Sequence, residues 1–119
     1  MRIERELMRG AGPVAVLKLL EQREMYGYEL VDALTKRTDG VLALGQATLY
    51  PMLYNLEAKG WLAASERTAP SGRQRKYYRL TDEGRAQLVQ QTEQWEGLAR
   101  AMQSLGILPQ PQARMEGLQ

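Results

Sequence analysis

Residues 61–80 restrict the possible folds of this chain more than any other stretch, because they read as two short extended segments joined by a turn and set between helical patterns. Trp61-Leu62-Ala63 opens the first segment, and Pro70-Ser71-Gly72 supplies turn chemistry. Lys76-Tyr77-Tyr78-Arg79-Leu80 alternates charged, aromatic and apolar residues as a returning strand does. A two-stranded hairpin is not stable alone, so it must lay its apolar side on helices. Trp61, Leu62, Tyr78 and Leu80 are the side chains expected to make that contact.

The rest of the chain supplies those helices. Residues 2–9 read as a short charged helix that ends near Gly10-Ala11-Gly12, with Pro13 in the first turn of the next. Val14, Val16, Leu17, Leu19 and Leu20 make that second helix strongly apolar as far as about Arg23, where Tyr26-Gly27-Tyr28 interrupts it. Leu30, Val31 and Leu34 fall at helical spacing before Gly40. A further helix is predicted from about Gln46 to Lys59, with Leu49, Met52, Leu53 and Leu56 as its apolar stripe and Gly60 just past its end. Pro51 forces its start close to Ala47 or Thr48. After the hairpin, Thr81 caps a last helix whose first turn holds Asp82 and Glu83, and which runs to about Leu105. The expected organisation is an N-terminal helical arm (1–12), a winged helix-turn-helix domain (13–80), a long C-terminal dimerisation helix (81–106) and a disordered tail (107–119). The fold class is therefore mainly α with a small β-hairpin.

Composition excludes much chemistry. The chain has 119 residues with neither cysteine nor histidine, so thiol nucleophiles, disulfides, zinc fingers and imidazole acid–base catalysis cannot be built. Its carboxylates show no recognisable metal-ligand spacing, and the expectation is a protein that is not an enzyme and holds no metal or cofactor. No apolar run approaches the roughly 18 residues of a membrane span, and the charged start lacks a secretory pattern, which points to the cytoplasm. Sixteen basic against fourteen acidic residues leave a net charge of only +2, so total charge does not indicate nucleic acid. Its distribution does. Arg67, Arg73, Arg75, Lys76 and Arg79 crowd one short stretch of the hairpin without acids.

With Leu49, Leu53 and Leu56 turned inward, a 100° advance per residue sends Ala47, Pro51, Tyr54 and Asn55 outward, with Thr48 and Tyr50 on the flanks. Gln46, Thr48, Tyr50, Tyr54 and Asn55 are the candidates for base edges or phosphates, although Tyr50 can equally pack against the wing or the preceding helix. Arg73, Arg75 and Lys76 suit phosphates or the minor groove. One of Tyr77 and Tyr78 must face the core while the other can reach a phosphate; Tyr78 is taken as a DNA candidate. Tyr28, at the start of a helix that crosses the DNA backbone in such docking, is another, with core packing as its alternative. In the last helix Leu88, Trp95 and Met102 recur at seven residues, as do Leu98 and Leu105, with Thr92 and Ala99 as imperfect positions. This coiled-coil-like stripe is read as a dimerisation surface.

Three stretches resemble the phenolic acid decarboxylase regulator (PadR-like) family of transcriptional regulators. They are Tyr26-Gly27-Tyr28-Glu29-Leu30, Ala47-Thr48-Leu49-Tyr50-Pro51-Met52-Leu53-Tyr54-Asn55-Leu56-Glu57, and Gly72-Arg73-Gln74-Arg75-Lys76-Tyr77-Tyr78-Arg79-Leu80-Thr81-Asp82-Glu83-Gly84. Ala47 stands where the family usually has glycine, and Ser65-Glu66-Arg67 stands where it often carries a tryptophan. The single long C-terminal helix resembles the family's compact branch. The resemblance implies a homodimer joined through the terminal helices, acting as a repressor on a pseudo-palindromic operator in double-stranded DNA. It also implies room for a planar apolar inducer that stacks on Trp95. Two other readings stay open: a winged-helix module whose wing binds an acidic protein partner, and a dimer in which small-molecule sensing dominates.

Overall fold

The computed structural model of the chain describes residues 1–111. Its elements are α1 (Arg5–Gln22), β1 (Met25–Tyr26), α2 (Gly27–Arg37), α3 (Gln46–Ala58), β2 (Leu62–Thr68), β3 (Gln74–Leu80) and α4 (Asp82–Ser104). The chain divides into two compact units, residues 1–89 and residues from 90 on. The first holds all the elements of a winged helix.

Two expectations require correction. The helix break at Gly10-Ala11-Gly12 does not occur, and α1 runs unbroken through Pro13. Proline there removes one backbone bond, a local cost. Met8, Gly12, Val16 and Leu20 nevertheless stay buried on one continuous face across the junction. Gly12 serves packing rather than termination: a Cβ there would lie 2.6 Å from Met52 Cε of α3. The sheet also has three strands, not two. Its order is β1-β3-β2, with Met25 opposite Tyr78 and Tyr26 opposite Tyr77. β1 leads directly into α2, so the wing is hydrogen-bonded to the start of the helix-turn-helix.

Leucine dominates the core. Leu17 of α1, Leu30 of α2 and Leu49, Leu53 and Leu56 of α3 are almost wholly buried, joined by Leu62, Tyr78 and Leu80 from the sheet. Each such side chain contributes roughly 1.5–3 kcal/mol relative to exposure, so the inward stripe of α3 fixes its rotation firmly. The α3 stop is as expected. Gly60 adopts φ +81°, while its N–H donates to Glu57 O at 2.9 Å and the Trp61 N–H to Leu56 O at 3.1 Å.

The hairpin pairs Leu62 with Leu80 and Ala64 with Tyr78. Gly72 turns it at φ +89°, and the Ala69 N–H donates to Arg73 O at 2.7 Å. Thr81 begins α4 as expected. Its Oγ1 accepts the Gly84 N–H at 3.0 Å and donates to Gly60 O at 2.7 Å.

In the second unit α4 ends at Ser104, and Gly106 (φ +82°) reverses the chain. The N–H groups of Ile107 and Leu108 donate to Met102 O. The first residues of the expected tail thus fold back on the helix end, and residues 112–119 lie outside the described residues. No helix among the described residues is long and apolar enough to cross a membrane.

Candidate nucleic-acid interface

The exposed face of α3 follows from its buried one. Gln46, Ala47, Thr48, Tyr50, Pro51, Tyr54 and Asn55 are all exposed, Tyr54 most of all among the aromatics at 73%. No side chain caps the helix start at Gly45. Its first turn therefore presents backbone N–H groups and the positive end of the helix dipole outward.

Tyr50 reaches from this first turn to the start of α2. A Cβ on Gly27 would lie 2.5 Å from the Tyr50 hydroxyl and 2.9 Å from the ring carbon that bears it. A side chain at position 27 would have to displace the ring. Tyr50 is still 45% exposed, so it both packs on α2 and keeps a free edge. Tyr28, 58% exposed, projects from the same end of α2.

The wing closes the third side. Tyr26, Gly27, Tyr28, Gln46, Tyr50 and residues 73–76 line a cleft of about 440 Å³, and no acid is among them. The Arg75 guanidinium lies over the Tyr26 ring at 4.4 Å, and Arg67 lies over Tyr77 at the same distance. Tyr26 meets Tyr77 edge-on at 5.4 Å and is stacked near Tyr28 at 6.5 Å. Two arginines therefore flank a pair of tyrosines across the β1–β3 junction. Each such stack is worth about 0.5–1 kcal/mol when exposed, enough to bias where the guanidinium points without removing its charge. Arg67 also pairs with Glu24. Lys76 points to the opposite face of β3, 3.2 Å from Glu57 Oε1 on α3, and that bond holds its ammonium above the ordinary 10.5.

Of the sequence-derived DNA candidates, Tyr28, Gln46, Tyr50, Arg73, Arg75 and Lys76 line this cleft, while Thr48, Tyr54 and Asn55 lie exposed on α3 outside its lining. Three differences remain. Tyr78 is 4% exposed and belongs to the core, because its pairing with Ala64 and the Leu62–Leu80 pair turn that side of β3 inward. Burial raises its phenol pKa above 10.0. Tyr77 is the outward residue. Tyr26 was not among the candidates, since a two-residue strand gives no periodic signal and only the Tyr26-Gly27-Tyr28 motif hinted at it; Arg67 was noted in the basic strip but not as a contact residue. On α4, Leu88 is 4% exposed and completes the first unit's core, so it is not available to a dimer surface. Of the remaining stripe, Trp95 (40%), Leu98 (45%) and Leu105 (74%) are exposed, Ala99 and Met102 are half-buried, and Thr92 is exposed.

Known proteins share this fold. Residues 16–90 match the model of the transcriptional regulator PadR-like family. The transcriptional regulator Rv3488 of Mycobacterium tuberculosis is 36% identical over 96 residues, covering 81% of this chain and 86% of the relative. Among solved structures, a PadR-family transcriptional regulator from Eggerthella lenta aligns with a TM-score of 0.75 at 38% identity, covering 84% of this chain and 85% of that one. A transcriptional regulator from Clostridium thermocellum aligns with a TM-score of 0.77 at 28% identity, covering 83% and 96%. Winged-helix geometry, the family-model match over most of the chain and these relatives lead to one conclusion: the chain belongs to the PadR-like family of transcriptional regulators.

Proposed function

We propose that this regulator acts as a cytoplasmic homodimeric repressor, placing α3 of each subunit in a major groove and its wing on flanking phosphates. The observation that carries the reading is the cleft in which the uncapped start of α3, Tyr28 and Tyr50 converge with Arg73 and Arg75 of the wing, with no acid in its lining. Helix starts and cationic wings both favour a phosphate backbone. Tyr28, Gln46, Thr48, Tyr50, Tyr54, Asn55, Arg73, Arg75 and Lys76 are the contact residues of this reading.

Dimerisation is supported by α4. Beyond Leu88 its apolar residues Trp95, Leu98 and Leu105 stay exposed at helical spacing, a stripe that a second copy would cover. Helix-turn-helix dimers bind half-sites one or more DNA turns apart, which makes the operator pseudo-palindromic. Bound protein then blocks transcription by occlusion. Trp95 offers the aromatic surface on which a planar inducer would stack, and release requires the inducer to prefer the arrangement that does not fit DNA.

A salt titration of binding to random-sequence duplex DNA tests the reading, followed by fluorescence anisotropy. Binding at low salt that falls linearly on a log–log plot is expected, with a slope near 0.9 per phosphate contacted. Absence of binding at low salt would sink the DNA reading and leave the protein-contact and small-molecule-sensing readings.

A further inference from the structure

The exposed face of α3 carries no charge at all. From its first turn to its last it presents Gln46, Ala47, Thr48, Pro51, Tyr54 and Asn55. The helix contains neither lysine nor arginine, and its one acid, Glu57, is held by Lys76. Lys59, just past its end, lies over the Trp61 ring at 4.7 Å. The cations that line the cleft, Arg73, Arg75 and Lys76, all belong to the wing. The two parts of the site therefore hold different chemistry.

That division bears on what can be read. Guanine is recognised in the major groove chiefly by arginine or lysine on O6 and N7, which α3 lacks. Adenine N6 and N7 are met in a bidentate way by asparagine or glutamine, and the thymine methyl by small apolar groups such as alanine or the threonine methyl. Asn55 and Gln46 supply the first kind of contact, and Ala47 and Thr48 the second. Resting on the DNA reading above, we infer that α3 selects half-sites whose major groove is read at A·T pairs, and that the wing adds affinity without that selectivity.

The test begins with selection of bound duplexes from a random pool. It continues with A·T to inosine·cytosine exchanges in the selected half-site. Such an exchange gives the major groove the face of a G·C pair and leaves the minor groove like that of A·T. The inference expects A·T-rich half-sites that lose about tenfold affinity on exchange at one or two positions. It also expects replacement of thymine by uracil, which removes only the methyl, to weaken binding by a few-fold at the Thr48 position. Asn55→Ala, an exposed change, should abolish discrimination at one position and leave the salt slope unchanged. Three outcomes overturn the inference: G·C-centred half-sites, no enrichment despite salt-dependent binding, or A·T-rich sites indifferent to inosine. The last would assign selectivity to the minor groove and the wing. Failure to bind any duplex at low salt is a separate result, which removes the DNA reading itself and this inference with it.

Discussion

Replacing Gly84 with alanine is expected to destabilise the fold even though alanine is the better helix former. Helix propensity alone favours the change by about 0.8–1 kcal/mol. The added Cβ, however, would lie 2.1 Å from Trp61 O and 2.7 Å from Leu80 Cδ1. The first neighbour is backbone and cannot rotate away. Trp61 O already accepts the Thr81 N–H at 3.1 Å, and Thr81 Oγ1 donates to Gly60 O at 2.7 Å. Making room means lifting the first turn of α4 and weakening both bonds, at about 0.5–1.5 kcal/mol each, on top of overpacking of about 1–3 kcal/mol. The net loss is roughly 1–5 kcal/mol, centred near 3 kcal/mol. In urea the midpoint should fall by about 1–2 M with the slope unchanged. Two other glycines calibrate the logic. A Cβ at Gly12 meets the flexible end of Met52 at 2.6 Å, so Gly12→Ala should cost less. Gly10 has open space, and Gly10→Ala should stabilise by about 0.4–1 kcal/mol. All three belong at one protein concentration, because self-association adds to apparent stability. A Gly84→Ala protein as stable as its parent, or less affected than Gly12→Ala, would refute the reasoning.

Three further outcomes can be measured. Arg75→Ala should weaken duplex binding evenly across sequences and reduce the salt slope by about 0.9, whereas Arg75→Lys should keep the slope and lose only the stacking on Tyr26. Alkaline stability should depend on β3: burial raises Tyr78 above 10.0, and the Glu57 bond raises Lys76 above 10.5. Both folded values are raised, so their contribution is complete below the unfolded values and is lost as pH climbs beyond about 10. Tyr78→Phe should flatten the decline in denaturation midpoints. Leu98→Asp, on the exposed stripe of α4, should give a monomeric mass at micromolar concentration while helical circular dichroism is retained.

What the sequence disclosed and what it hid have physical causes. The inward stripe of α3 was legible because Leu49, Leu53 and Leu56 bury an α-periodic face, and Pro51 and Gly60 bound it at both ends. The wing was legible because β3 alternates and Gly72 occupies a position with positive φ. The continuity of α1 was not, since glycine and proline are local helix-breaking signals, whereas the buried face spanning Met8 to Leu20 is a tertiary effect. β1 was invisible because two residues have no period. Alternation showed that one of Tyr77 and Tyr78 is buried but not which, as that depends on the register against β2. Leu88 fits the seven-residue stripe of α4 equally well as core or as interface. The packing of the helix's first turns against its own unit decided for the core.

The central claim is that two copies of this chain read DNA together, each through α3 and its wing. Hydroxyl-radical footprinting on a selected operator tests it most directly. The account predicts two symmetric protected patches on one face of the duplex, one or more turns of about 10–10.5 base pairs apart. Both should disappear together in the Leu98→Asp protein at concentrations that saturate the parent. A single asymmetric patch, or protection that survives in the monomeric variant, would contradict it.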